Sequence, residues 1–116
     1  MKPVIQTKFP QRGNCFAACI ASILELDVVE VPAFEDVSPT PFIPAKQWLH
    51  DRGLTLTHSI PPYSPAGYAI AVGPSPRNPN MQHAVVTLEG EIVHDPHPDG
   101  QGLTSISRYF GVISLD

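Results

Sequence analysis

Gln11-Arg12-Gly13-Asn14-Cys15-Phe16-Ala17-Ala18-Cys19-Ile20-Ala21-Ser22-Ile23-Leu24 decides how the rest of the chain is read. A turn, Pro10 to Asn14, leads into a helix whose first position is a cysteine. Phe16, Ile20, Ile23 and Leu24 recur at helical spacing, and Ala17, Ala18 and Ala21 let that helix approach a sheet closely. Asn14 is the residue type that caps a helix start. A thiol at that start faces unpaired N–H groups and roughly half a positive charge, which favour thiolate and are expected to lower its pKa. Cys15 is therefore a candidate nucleophile.

Nucleophilic chemistry needs a base and a group that orients it, and both occur downstream. His83-Ala84-Val85-Val86 puts a histidine at the head of an apolar strand, and Ile92-Val93-His94-Asp95-Pro96 supplies an acid. A hairpin joins the two. With Leu88-Glu89-Gly90 as a three-residue loop, His83 stands opposite Asp95, Val85 opposite Val93, and Thr87 opposite Glu91. A two-residue Glu89-Gly90 loop is disfavoured in this reading, because it demands positive φ at a glutamate and sets Ala84 opposite Asp95. Directly opposed residues have Cβ atoms about 4.5–5.5 Å apart, within reach for a carboxylate and an imidazole.

Outside these segments, Val4-Ile5-Gln6 reads as a strand or extended arm, and Pro44 to Gly53 as a second helix with Pro44 in its first turn. Leu54 to His58, Gly67 to Val72, His83 to Leu88, Glu91 to His94 and Tyr109 to Ile113 have strand composition. Helices first and an antiparallel sheet second give an α+β class, with 1-116 as a single domain.

Composition narrows the function. A net charge of −4 with only seven Lys plus Arg offers no basic cluster for nucleic acid. No window approaches the ~18 apolar residues of a membrane span, and Met1-Lys2-Pro3-Val4-Ile5 has no leader character, so the expected location is cytoplasmic. Of the 14 prolines, nine fall in the stretches 39–44, 59–65 and 73–79 and another at Val31-Pro32, marking ordered loops rather than an interdomain linker.

With a glutamine shortly before Cys15, an alanine-rich helix opened by that cysteine, and a His-apolar strand followed a dozen residues later by Asp95-Pro96, the chain resembles the papain-like cysteine peptidases. Within them it is most similar to the C39 and C39-like group that trims double-glycine leader peptides. The resemblance covers roughly residues 4–26 and 66–98. It implies a papain-like fold, with the N-terminal central helix packed on an antiparallel sheet, and a thiol-dependent hydrolase of the peptidase or amidase type. Its substrate would contain a peptide or amide bond, and no cofactor or metal would be required.

In that resemblance Cys15 attacks, His83 is general base and acid, and Asp95 orients it. A glutamine joins the Cys15 backbone N–H in holding the oxyanion. The family glutamine stands six residues before the cysteine, a position that is Phe9 here, which leaves Gln6 and Gln11 as alternatives. Whether water or an amine receives the acyl group, giving hydrolase or transferase, is open. The chain also resembles small proteins of bacteriophages and prophages through Gly13-Asn14-Cys15, Gly73-Pro74-Ser75-Pro76-Arg77 and Val93-His94-Asp95-Pro96-His97-Pro98.

Competing readings attach to the same residues. Cys15 and Cys19 with His94 and His97 could form a Cys2His2 zinc site. A papain-like fold without activity could serve as a binding protein in phage–host interaction, using its proline loops as the contact surface. Cys19 and Trp48 read as core, His94 and His97 as surface or loop histidines, and Arg77 as a solvated residue that could rim a cleft.

Overall fold

In a computed structural model, which describes residues 1–8 and 13–115, the quoted stretch is helical over Cys15–Leu24 (α1) and buries Phe16 through Ser22 without interruption. The alanines allow this, since side chains no larger than a methyl group bring the helix axis near the sheet. Glu25 ends α1 in the left-handed conformation, φ 61°, returning its N–H to the carbonyls of Ala21 and Ser22. Ser22 sits fully buried in the last turn. Its hydroxyl donates to the Ala18 carbonyl and accepts the Val4 N–H, which ties the N-terminal arm along the helix.

Asn14 precedes α1, yet its side chain does not cap it. Its Oδ1 accepts the N–H groups of Thr7 and Lys8, and its Nδ2 donates to the Thr7 hydroxyl. The expected cap is thus a clamp on the incoming arm. Val4 to Gln6 is that arm and not a strand; Gln6 N–H bonds the Pro96 carbonyl.

The second helix, α2, spans Phe42–His50, two residues earlier than expected, with Pro44 in its first turn where a missing N–H costs nothing. Five strands follow: β1 (Leu54–Leu56), β2 (Tyr68–Pro74), β3 (Gln82–Leu88), β4 (Glu91–His94) and β5 (Arg108–Ser114). They form one antiparallel sheet in the order β1-β5-β2-β3-β4. The α+β class is as expected: two helices on a five-stranded antiparallel sheet.

Alternation along β3 divides the core. Ala84 and Val86 face α1 and join Phe16, Ile20, Ile70 and Phe110, whereas Val85 packs with Ala71 and Tyr109 on the other side. Phe110 is the hub of the helix-side cluster. Phe42 stacks on it at 5.0 Å, His58 at 5.2 Å, and Phe16 meets it edge-on at 5.7 Å.

The β3–β4 hairpin corrects the expected register. Leu88 pairs with Glu91 and Thr87 with Ile92, so the loop is the two-residue Glu89-Gly90 turn, with φ of 51° and 84°. Positive φ at both central positions is the type I′ geometry that suits the right-handed twist of paired strands. Glu89 is further fixed because its Oε1 accepts the Gly67 N–H at 2.8 Å. The expected Val85–Val93 and His83–Asp95 pairings therefore do not occur. Val86 pairs instead with His94, which leaves Val93 as an extra residue in a β-bulge. That insertion shifts the alternation by one and brings Asp95, just past the strand, to the side of the sheet that carries His83. Among the described residues, no helix is long and apolar enough to cross a membrane.

Candidate active site

The end of the sheet where β3 begins and α1 starts encloses a cleft of about 760 Å³, and Gln6, Cys15 and His83 all line it. Cys15 is partly exposed there, while Cys19, one turn further on, is wholly buried in the core. The Cys15 sulfur lies against the backbone of Ala84, the residue that follows His83, and of Phe16.

His83 is 4% exposed, and its Nε2 donates to Asp95 Oδ1 at 2.6 Å. Because a carboxylate only accepts, this bond puts the proton of a neutral imidazole on Nε2 and leaves Nδ1 as the acceptor. Asp95 is itself held by N–H donors: His97 to Oδ1 at 2.9 Å and Gly102 to Oδ2 at 2.7 Å. Burial would raise its carboxyl pKa, but the bonds from His83, His97 and Gly102 outweigh it and hold the group below its ordinary 3.8. The histidine–carboxylate pair thus arises through the bulge, despite the different strand register.

Gln6 is 6% exposed, and its Nε2 donates to the Lys8 carbonyl at 3.0 Å. Its Oε1 is buried without a partner among the described residues. Gln11, the other oxyanion candidate, lies outside the described residues.

One side chain of the cleft has no counterpart in the sequence reading. Glu35 lies in a 3-10 turn, Phe34–Asp36, whose buried Phe34 packs edge-on against Trp48 at 6.0 Å. That anchor delivers the neighbouring carboxylate to the start of α1. Glu35 Oε2 accepts the Phe16 N–H at 2.9 Å and lies 3.8 Å from the Cys15 sulfur, which donates to it. The helix N-terminus thus already holds an anion.

The consequence reverses the expected pKa of Cys15. Burial first, and then the Glu35 charge, push the thiol from 9.0 up to about 12, against the backbone donors of Ala84 and Phe16. The positive end of the helix is spent on Glu35, and the resting thiol is protonated. Burial also lifts the Glu35 carboxyl above its ordinary 4.5, partly offset by the Phe16 N–H. The sequence signal for Glu35 was thin: an acid beside an aromatic anchor in a segment with no periodicity.

The zinc arrangement does not assemble. His94 Nε2 donates to the Val4 carbonyl at 2.7 Å, Cys19 is in the core, and among the described residues no three His, Cys, Asp or Glu side chains are grouped to hold a metal ion. Arg77 lines the cleft as the sequence allowed, but its guanidinium is closed on Asp99, with Nη1 2.9 Å from each carboxylate oxygen. Trp48 is only partly buried, with the Arg52 guanidinium 3.7 Å from its ring centroid. Compared with protein-family models, curated proteins and solved structures, the chain matches none.

Proposed function

We propose that the chain is a thiol-dependent hydrolase of the papain-like type, acting on a peptide or amide bond through an acyl-enzyme on Cys15. The observation that carries this reading is the opening of Cys15 into one cleft with a histidine whose far nitrogen is locked to a buried carboxylate. A neutral His83 with Nδ1 as acceptor is set up to take a proton, and Asp95 stabilises the imidazolium that results.

The resting thiol is neutral, so attack couples proton loss to bond formation. As sulfur bonds to the carbonyl carbon, its proton passes to His83. The tetrahedral intermediate then collapses, the imidazolium protonates the leaving amine, and a thioester remains on Cys15. Water, activated by His83, releases the acid; an amine in its place would make the reaction a transfer. The backbone N–H groups at the start of α1 and the Gln6 amide are the donors available to the developing oxyanion, and Glu35 must leave Phe16 for that N–H to serve.

A second reading has its own observation. The Glu35 carboxylate on the helix N-terminus suits a cleft that binds a ligand without reacting. Exposure to a library of peptide amides, followed by intact-mass analysis, separates the two. An acyl adduct on Cys15, absent in Cys15→Ala and in His83→Ala, supports the hydrolase. Ligand retention without any adduct, or turnover that survives Cys15→Ala, refutes it.

A further inference from the structure

We infer that the cleft is built for a substrate bearing a carboxylate about one residue from the bond that Cys15 attacks, with Arg108 as the group that recognises it. This deepens the hydrolase reading and rests on it for the reacting bond, though the binding claim is testable without turnover.

The sheet register sets the geometry. Ala84 pairs with Val72, and Val72 pairs with Arg108, so the three residues form one row across β3, β2 and β5. The Cys15 sulfur lies against the backbone of Ala84 at one end of this row. Arg108 stands at the other end, two strand spacings or roughly 10 Å away. Arg108 alternates with Phe110, so it shares the face of the sheet that carries α1 and the thiol.

Among the described residues, charge and chemistry single out Arg108. It lines the cleft, is partly exposed, and forms no ion pair with another described residue. Its guanidinium lies 5.8 Å from the Phe42 ring centroid, and Phe42 in turn stacks on Phe110. A guanidinium on an aromatic floor presents its donor edge to a planar oxyanion, and the floor favours an apolar or aromatic group beside that anion. Arg77, the other arginine lining the cleft among the described residues, is already occupied by Asp99.

Glu35 supplies direction. It is the carboxylate that lines the cleft among the described residues, and it stands beside the thiol. A substrate anion is repelled from that end and drawn to Arg108, which orients the scissile carbonyl towards sulfur. The shared chemistry is a carboxylate, from either a free chain terminus or an acidic side chain.

Three thiol-directed probes test this on the full chain: N-chloroacetyl-phenylalanine, its primary amide, and N-chloroacetyl-glutamic acid α-amide. Labelling of Cys15 is followed by intact mass. A carboxylate probe is expected to react about tenfold faster than the neutral amide. The faster of the two carboxylate probes identifies terminal or side-chain recognition. Arg108→Gln should bring the ratio near one, while Arg52→Gln, outside the cleft, should leave it alone. Arg108→Met, which keeps the aliphatic cover on Phe42, replaces the glutamine variant if that one does not fold. Equal rates for acid and amide in the wild type, or a ratio that survives loss of Arg108, overturn the inference. If no probe labels Cys15, the hydrolase reading fails by itself. Titration of Cys15→Ala with N-acetyl-phenylalanine and its amide then decides the carboxylate claim, with preferential binding of the acid supporting it and equal or absent binding overturning it.

Discussion

Replacing Glu35 by glutamine isolates the group that holds the thiol at rest. The thiol pKa stands at about 12 against an ordinary 9.0, so near neutral pH its thiolate fraction is about a thousandth that of free cysteine. Burial is the larger cause and the Glu35 charge the second. Glutamine keeps the size of the side chain and an oxygen to accept the Phe16 N–H, and removes only the charge. Burial keeps the thiol above 9.0, and removal of the charge is expected to give about tenfold faster alkylation by iodoacetamide at neutral pH. The assay is the pH dependence of the alkylation rate, whose midpoint should move down in Glu35→Gln. Cys15→Ser assigns the signal, since Cys19 is fully buried. An unchanged or slower rate in a folded Glu35→Gln protein would refute the view that this carboxylate restrains the thiol.

Asp95→Asn should lower stability by about 1–3 kcal/mol in urea titrations, because it removes the charge that accepts from His83, His97 and Gly102. The Asp95 carboxyl sits below its ordinary 3.8, so its contribution is fully present above that value and is lost as pH falls through the lower folded one; acid titrations of the asparagine variant should lack that component. His83→Ala should cut acyl-enzyme formation by about 10²–10⁴-fold while circular dichroism stays native. Gly73→Ala should destabilise by about 3 kcal/mol in thermal melts, because a Cβ there would stand 2.0 Å from the Ser105 carbonyl oxygen, and backbone must move. In alkali, stability should fall as pH rises from 9.0 towards about 12, since the unfolded Cys15 thiol gives up its proton more readily than the folded one; buried Cys19 adds to the decline in the same sense, so Cys15→Ser should lessen it without abolishing it.

Local pattern alone determined α1, the five strand segments and the hairpin joining His83 to Asp95. These follow from side-chain size, apolar spacing and turn residues, all of which act over a few positions. The Cys15 and His83 candidates were legible for the same reason: each heads an element whose own residues define where it begins. Tertiary structure decided what no short window contains. The bulge at Val93 set which face Asp95 occupies, because register depends on the partner strand as much as on the turn. Glu35 reached the helix start only because the burial of Phe34 fixed the path of a segment without periodicity; burial of the thiol first, and the Glu35 charge second, then reversed the expected pKa of Cys15. Arg108 came into line with the thiol through two strand pairings between residues far apart in the chain. Electrostatic character at the cleft is a sum over neighbours in space, and those neighbours are assigned only when the sheet closes.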